Sequence, residues 1–135
     1  MRNGESGGVE DEIGGGDAKG KGELAERTKR FALKIIALAD KLPQNAVGRV
    51  IQNQILRCGT SVGANYRSAV RSRSTADFIS KMGVVEEESD ESMYWMELIV
   101  EAGLMEEKLI SELHKEADEI LSIVVASIKT ARRGK

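Results

Sequence analysis

The stretch "RCGTSVGANYRSAVRSRS", residues 57–74, decides how this chain folds. It is rich in small residues, holds Gly59 and Gly63, and carries four arginines with no acid. Two readings compete: a glycine-rich loop that cradles phosphate, or the middle of a helix. A phosphate loop breaks any helical period and needs a Lys-Ser/Thr pair after its last glycine. Here Gly63 is followed by Ala64 and Asn65. The apolar and small residues Ile51, Ile55, Cys58, Val62, Asn65 and Ala69 run through the stretch at alternating spacings of four and three. That period is helical. It overrides the intrinsic cost of two helical glycines, about 1 kcal/mol each.

Outward from this segment the same period recurs. Leu24, Thr28, Phe31, Ile35, Leu38 and Leu42 form one stripe, closed by Pro43, and Asn45 is placed to cap the next helix. Ser74 caps a third helix with the stripe Phe78, Met82, Val85, Ser89, Ser92, Met96 and Ile99, stopped at Gly103. A fourth begins near Glu106, turns Ile110, Leu113, Ala117, Ile120, Val124 and Ile128 inward, and ends in the basic ARRGK. Basic residues there suit the negative pole of the helix dipole. Four helices with short links predict an all-α fold, an antiparallel up-down four-helix bundle spanning residues 23–135. Residues 1–22 hold eight of the 14 glycines and little that is apolar. Such a composition cannot repay ordering entropy, so a disordered, Gly-rich acidic tail is expected there.

Composition narrows the function. The 135 residues are 41% hydrophobic and 31% charged, with one proline and few aromatics. No apolar run approaches the roughly 20 residues of a membrane span, so no membrane role is expected. The N-terminus lacks the pattern of a signal peptide. The lone Cys58 fits a reducing cytoplasm and reads as an inert core thiol. His114 sits among charged neighbours and reads as surface. Ser61 and Ser68 have no visible base partner, and no metal-ligand spacing exists, so neither enzyme, metal nor cofactor is expected. Ser89 and Ser92, polar on an apolar stripe, can let helices approach or bond a backbone carbonyl. Asn65 at an inner position can fix register through a buried hydrogen bond.

Charge is unevenly placed although the net value is only −2. No acid lies between Asp40 and Asp77, a span holding Arg49, Arg57, Arg67, Arg71 and Arg73. Around the second helix, Arg49, Arg67 and Arg71 fall on one side opposite the core stripe, with Arg57 flanking them. Arg49, Arg57, Arg67, Arg71 and Arg73 are therefore candidate nucleic-acid-binding residues, because guanidinium groups suit phosphate. The competing reading pairs these arginines with the acids at Glu86–Glu91, in the same or a neighbouring subunit. Two further stripes run beside the core ones: Leu56, Gly59, Gly63, Tyr66 and Val70 on the second helix, and Val84, Trp95, Leu98 and Ala102 on the third. They mark either a second in-bundle neighbour or a subunit interface, with Leu56, Gly59, Gly63, Tyr66, Val70, Trp95 and Leu98 as its candidates.

The segments "QILRCGTSVGANYRSAVRSRSTADFISKM" and "ESMYWMELI" resemble the bacterial four-helix-bundle proteins of the 23S rRNA intervening-sequence family. The likeness covers roughly residues 26–131. Its marks are Gln54, Arg57, Ser61, Val62, Ala64, Asn65, Arg71, Ser74, Asp77, Phe78, Tyr94, Trp95 and Glu97. Ser68 stands where that family usually carries a glutamate. The resemblance implies the antiparallel bundle. Through the similar accessory protein of diversity-generating retroelements, it also implies a homopentamer with RNA or DNA and a reverse transcriptase as partners. Two functions follow as expectations: an oligomeric scaffold that binds nucleic acid or a ribonucleoprotein through the arginines, or a protein-interaction module whose arginines only pair with acids. That relative is strongly basic on its binding surface, whereas this chain has a sequence pI of about 5.6.

Overall fold

The computed structural model describes residues 18–134. Helices α1 (Ala18–Ala39), α2 (Ala46–Val70), α3 (Thr75–Glu101) and α4 (Ser111–Arg133) follow one another, with a single 3₁₀ turn at Glu107–Leu109 before α4. The elements are those the periodicity predicts, and two boundaries move. The first helix starts at Ala18, inside the stretch expected to be a tail; the rest of that expected tail lies outside the described residues. The fourth starts at Ser111 and not near Glu106, because Glu106–Ile110 is spent on the 3₁₀ turn that seats Ile110 in the core.

The helix ends follow local chemistry. Asn45 is extended and its side-chain oxygen accepts from the Gly48 amide at 2.9 Å. Ser74 does the same for the Asp77 amide at 3.0 Å. Each cap satisfies one of the donors that a helix start leaves without a partner. At the far end of α3, Gly103 adopts φ +73°, where a side chain would be strained. The Leu104 amide then reaches Ile99 O at 2.9 Å and the Gly103 amide reaches Val100 O at 3.0 Å, the double bond of a Schellman stop.

Contacts between helices fix their directions. Gly59 and Gly63 of α2 face Ile35 and Thr28 of α1, so the two run antiparallel. Cys58 meets Ser92 across α2 and α3, and Glu97 meets His114 across α3 and α4. Consecutive helices share the broad interfaces, most extensively α2 with α3, and α1 closes on α4 over a smaller one. Phe31, Ile35, Ile55, Val62, Met82, Met96, Ile99, Ile120 and Val124 are shielded from water in the shared core. Removing such apolar surface from water is the main favourable term in folding.

The smaller α1–α4 seam is tied by charge. Arg27 donates to both carboxylate oxygens of Glu116, at 2.6 and 2.9 Å, and also to Glu119. The hydrogen bonds from Arg27 hold the Glu116 carboxyl below its ordinary 4.5, against the opposing effect of burial. A carboxyl depressed in the folded state adds stability above its unfolded pKa and loses it as pH falls through the folded one. Unfolding in urea at pH 7 and at pH 3 should therefore show Glu116→Gln losing about 1 kcal/mol less on acidification than the parent chain. Equal losses would show that the pair contributes nothing.

The glycines give an independent test of packing. A methyl group on Gly48 would sit 1.9 Å from Pro43 O, in the backbone of the α1–α2 link. One on Gly83 would meet nothing within 4 Å. Gly48→Ala should destabilise the chain by about 1–3 kcal/mol through overpacking. Gly83→Ala should stabilise it by about 0.5–1 kcal/mol, the helix cost of glycine removed. Denaturation midpoints that move the same way for both would refute this placement.

Candidate nucleic-acid interface

All five candidate arginines are exposed. Four lie on α2 or its C-cap, and Arg73 lies in the turn to α3. Arg49 and Arg67 point the same way, since 18 residues make about five helical turns, and they stand roughly 27 Å apart along the axis. The expected unbroken line is interrupted between them. Arg57 leans towards α3, where Nη1 lies 3.4 Å from Glu88 Oε1 and Nη2 engages Glu91. It also donates to Gln54 Oε1 at 3.3 Å. Glu91 additionally accepts from Trp95 Nε1 at 3.0 Å, so one carboxylate joins α2 to the α3 indole. For Arg57, the pairing with acids of the Glu86–Glu91 run is thus made within the chain. Arg49, Arg67, Arg71 and Arg73 make no ion pair with any described residue. The reason is legible in the chain: no acid lies between Asp40 and Asp77, so α2 and the link after it are free of acid, while α3 places Glu88 and Glu91 beside Arg57.

The second stripe of α2 divides. A methyl on Gly59 would lie 2.8 Å from Ile35 side-chain atoms, and one on Gly63 would lie 3.2 Å from Thr28 Oγ1. Tyr66 is buried by its own chain. The close approach that Gly59 and Gly63 permit is made to α1, where Gly59 is buried and Gly63 half-buried. Leu56 and Val70 are partly buried against the core, as is Trp95 on α3, and Leu98 is half-buried beside it. Trp95 packs edge-on to Tyr94, with ring centroids 5.1 Å apart. Tyr94 and Val84 are exposed on the same helix. Sequence reasoning missed Leu33 and Ile36 on α1 and Val47 and Val50 on α2, all exposed. Their signal was available as apolar residues outside the core period.

The remaining candidates are engaged by contacts within the chain. Cys58 is fully buried, and burial raises its thiol pKa, which keeps it protonated. Ser92 Oγ donates to Glu88 O at 2.8 Å and lies 3.4 Å from Cys58 Sγ, while Ser89 Oγ donates to Val85 O at 2.8 Å. Both serines satisfy themselves on their own helix while presenting little bulk to the core. Asn65 is half-exposed and donates to Ser61 O at 2.9 Å within α2, so it fixes no buried register. His114 Nε2 lies 2.9 Å from Glu97 Oε2 at the mouth of a groove floored by Met96, Val100 and Ile110. Among the described residues no group of three or more His, Cys, Asp or Glu is placed to hold a metal. No helix among them is long and apolar enough to cross a membrane.

A search of curated proteins returned no match. Among solved structures, the chain is similar to a protein of unknown function of the S23 ribosomal protein family from Bacteroides thetaiotaomicron. The two share 32% identity with a TM-score of 0.74, over 78% of this chain and 98% of that one. The family model described as 23S rRNA-intervening sequence protein matches residues 21–126, which takes in the whole of α2 and α3, most of α1 and α4, and all five candidate arginines. The chain belongs to the family of 23S rRNA-intervening sequence proteins.

Proposed function

We propose that this chain is a non-enzymatic, oligomeric scaffold of the cytoplasm that binds nucleic acid or a ribonucleoprotein through Arg49, Arg67, Arg71 and Arg73. The observation that carries this reading is that these four guanidinium groups are exposed and without ion pairs on an acid-free stretch of chain. Leaving charges unneutralised on one side of a helix adds nothing to folding, whereas phosphate supplies the missing partners. Arg57 has its partners already and serves the α2–α3 contact. The homopentamer, and a reverse transcriptase as protein partner, rest on the resemblance to the accessory protein of diversity-generating retroelements.

A second reading is favoured by the Arg57–Glu88–Glu91–Trp95 network and the half-exposed apolar residues beside it. Under that reading the outer face of α2 and α3 binds protein, and the arginines play no further part.

Fluorescence anisotropy with labelled RNA and DNA oligonucleotides separates the two. Binding should weaken steeply with salt, and Arg67→Gln/Arg71→Gln should lower the slope of log affinity against log salt by about 2. Arg57→Gln should leave the slope unchanged and cost at most about 1 kcal/mol of stability. Absence of binding at low salt, together with a light-scattering mass that falls on Trp95→Ala, would replace the first reading by the second.

A further inference from the structure

The antiparallel topology brings to one end of the bundle two basic segments that are some 60 residues apart in the chain. His114 of α4 lies opposite Glu97 of α3, and the two helices run in opposite directions. Arg132, 18 residues beyond His114, is therefore level with position 79, near the start of α3. The turn that precedes α3 carries Arg71 and Arg73, with Arg67 in the last turn of α2. Lys129, Arg132 and Arg133 occupy the end of α4, exposed and without an ion pair to any described residue. We infer that this end of the bundle, formed jointly by the α2–α3 turn and the last turns of α4, is a binding surface for the phosphate backbone of a nucleic acid, with Lys129, Arg132 and Arg133 as its second half. The inference rests on the nucleic-acid reading above and extends it to residues outside α2.

Three features of the structure support it. Neither contributing segment contains an acid: none lies between Asp40 and Asp77, and none follows Glu119. The acids at this level are already engaged or few. Asp77 pairs with Lys81 at 3.2 Å, Glu26 pairs with Arg30 at 3.7 Å, and Glu23 stands on α1. The opposite end carries only a slight excess of acid, with Asp40, Glu97, Glu101, Glu106, Glu107, Glu112 and Glu116 against Lys34, Lys41, Arg49, Lys108 and Lys115. The bundle is thus polarised along its axis, and a polyanion is steered to one end. The α2 and α4 C-termini do attract cations through their dipoles, but that effect fades within a turn and does not account for Arg73, which lies beyond the helix.

The test uses the full chain and two probes: a fluorescein-labelled 20-nucleotide single-stranded RNA and a 20-base-pair RNA duplex. Affinity is measured over a salt series for the parent chain, for Lys129→Gln/Arg132→Gln/Arg133→Gln, for Arg67→Gln/Arg71→Gln/Arg73→Gln, and for Arg132→Lys/Arg133→Lys. Each triple variant should lower the salt slope by about 2–3 and weaken binding at least tenfold at low salt. The Lys pair should bind like the parent. Circular dichroism and thermal unfolding show whether α4 is intact. If the α4 triple variant frays, Arg133→Gln alone should still lower the slope by about 1. A parent chain that binds neither probe overturns the nucleic-acid reading itself. A parent that binds, with α4 variants unchanged and the α2 triple variant weakened, overturns this inference alone. A drop in thermal stability with binding unchanged assigns the α4 residues to the helix dipole and also overturns it.

Discussion

The closeness of α1 to α2 at Gly59 and Gly63 is the constraint on which the rest of the structure depends. Hydrogen atoms in place of side chains let Ile35 and Thr28 sit against the α2 backbone. That approach turns Cys58, Val62 and Ala69 into the core and leaves α3 to pack on the other flank, where Cys58 meets Ser92. With neighbours on both flanks and a core beneath, α2 retains only a narrow outward face. The unpaired arginines occupy that face and the turn that follows it. Small residues and arginines are thus two consequences of one packing arrangement. The first group sets how near α1 comes, and the second group takes the surface that remains.

The sequence made some of this legible and concealed the rest for physical reasons. A periodic apolar stripe reports which side of a helix is buried, and Phe31, Ile55, Met82 and Ile120 were placed by it. Local caps are equally readable, because Asn45, Ser74 and Gly103 act on amides only a few residues away. What periodicity does not report is the identity of the neighbour. The line Gly59–Gly63–Tyr66 fits a second subunit or another helix of the same chain equally well as a pattern, and the choice is made by register between α1 and α2. Arg57 is the same case. Its angle on α2 resembles that of the other arginines, yet its height sets it beside Glu88 and Glu91. Asn65 shows the opposite error, since a polar residue on a core stripe can bond its own helix and sit half-exposed. The helical start at Ala18 was hidden because glycine-rich composition argues against helix locally, and the first core residue of α1, Leu24, lies six positions further on.

Whole-chain charge is a poor guide to what such a molecule attracts. A net charge of −2 and an acidic pI argue against nucleic acid only if the charges act as one. They do not. A helix of the length of α3, 27 residues, spans roughly 40 Å. At physiological ionic strength, interactions between exposed charges fade over about 8 Å. The acids around Glu101 to Glu112 therefore lie several screening lengths from Arg71, Arg73, Arg132 and Arg133. A phosphate backbone at the basic end responds to the charges beside it and is indifferent to the other end. Only at very low salt, where screening extends to about 30 Å, does the acidic end begin to oppose binding. Topology, by setting two acid-free segments at the same end of the bundle, gives this chain a local charge that its composition does not reveal.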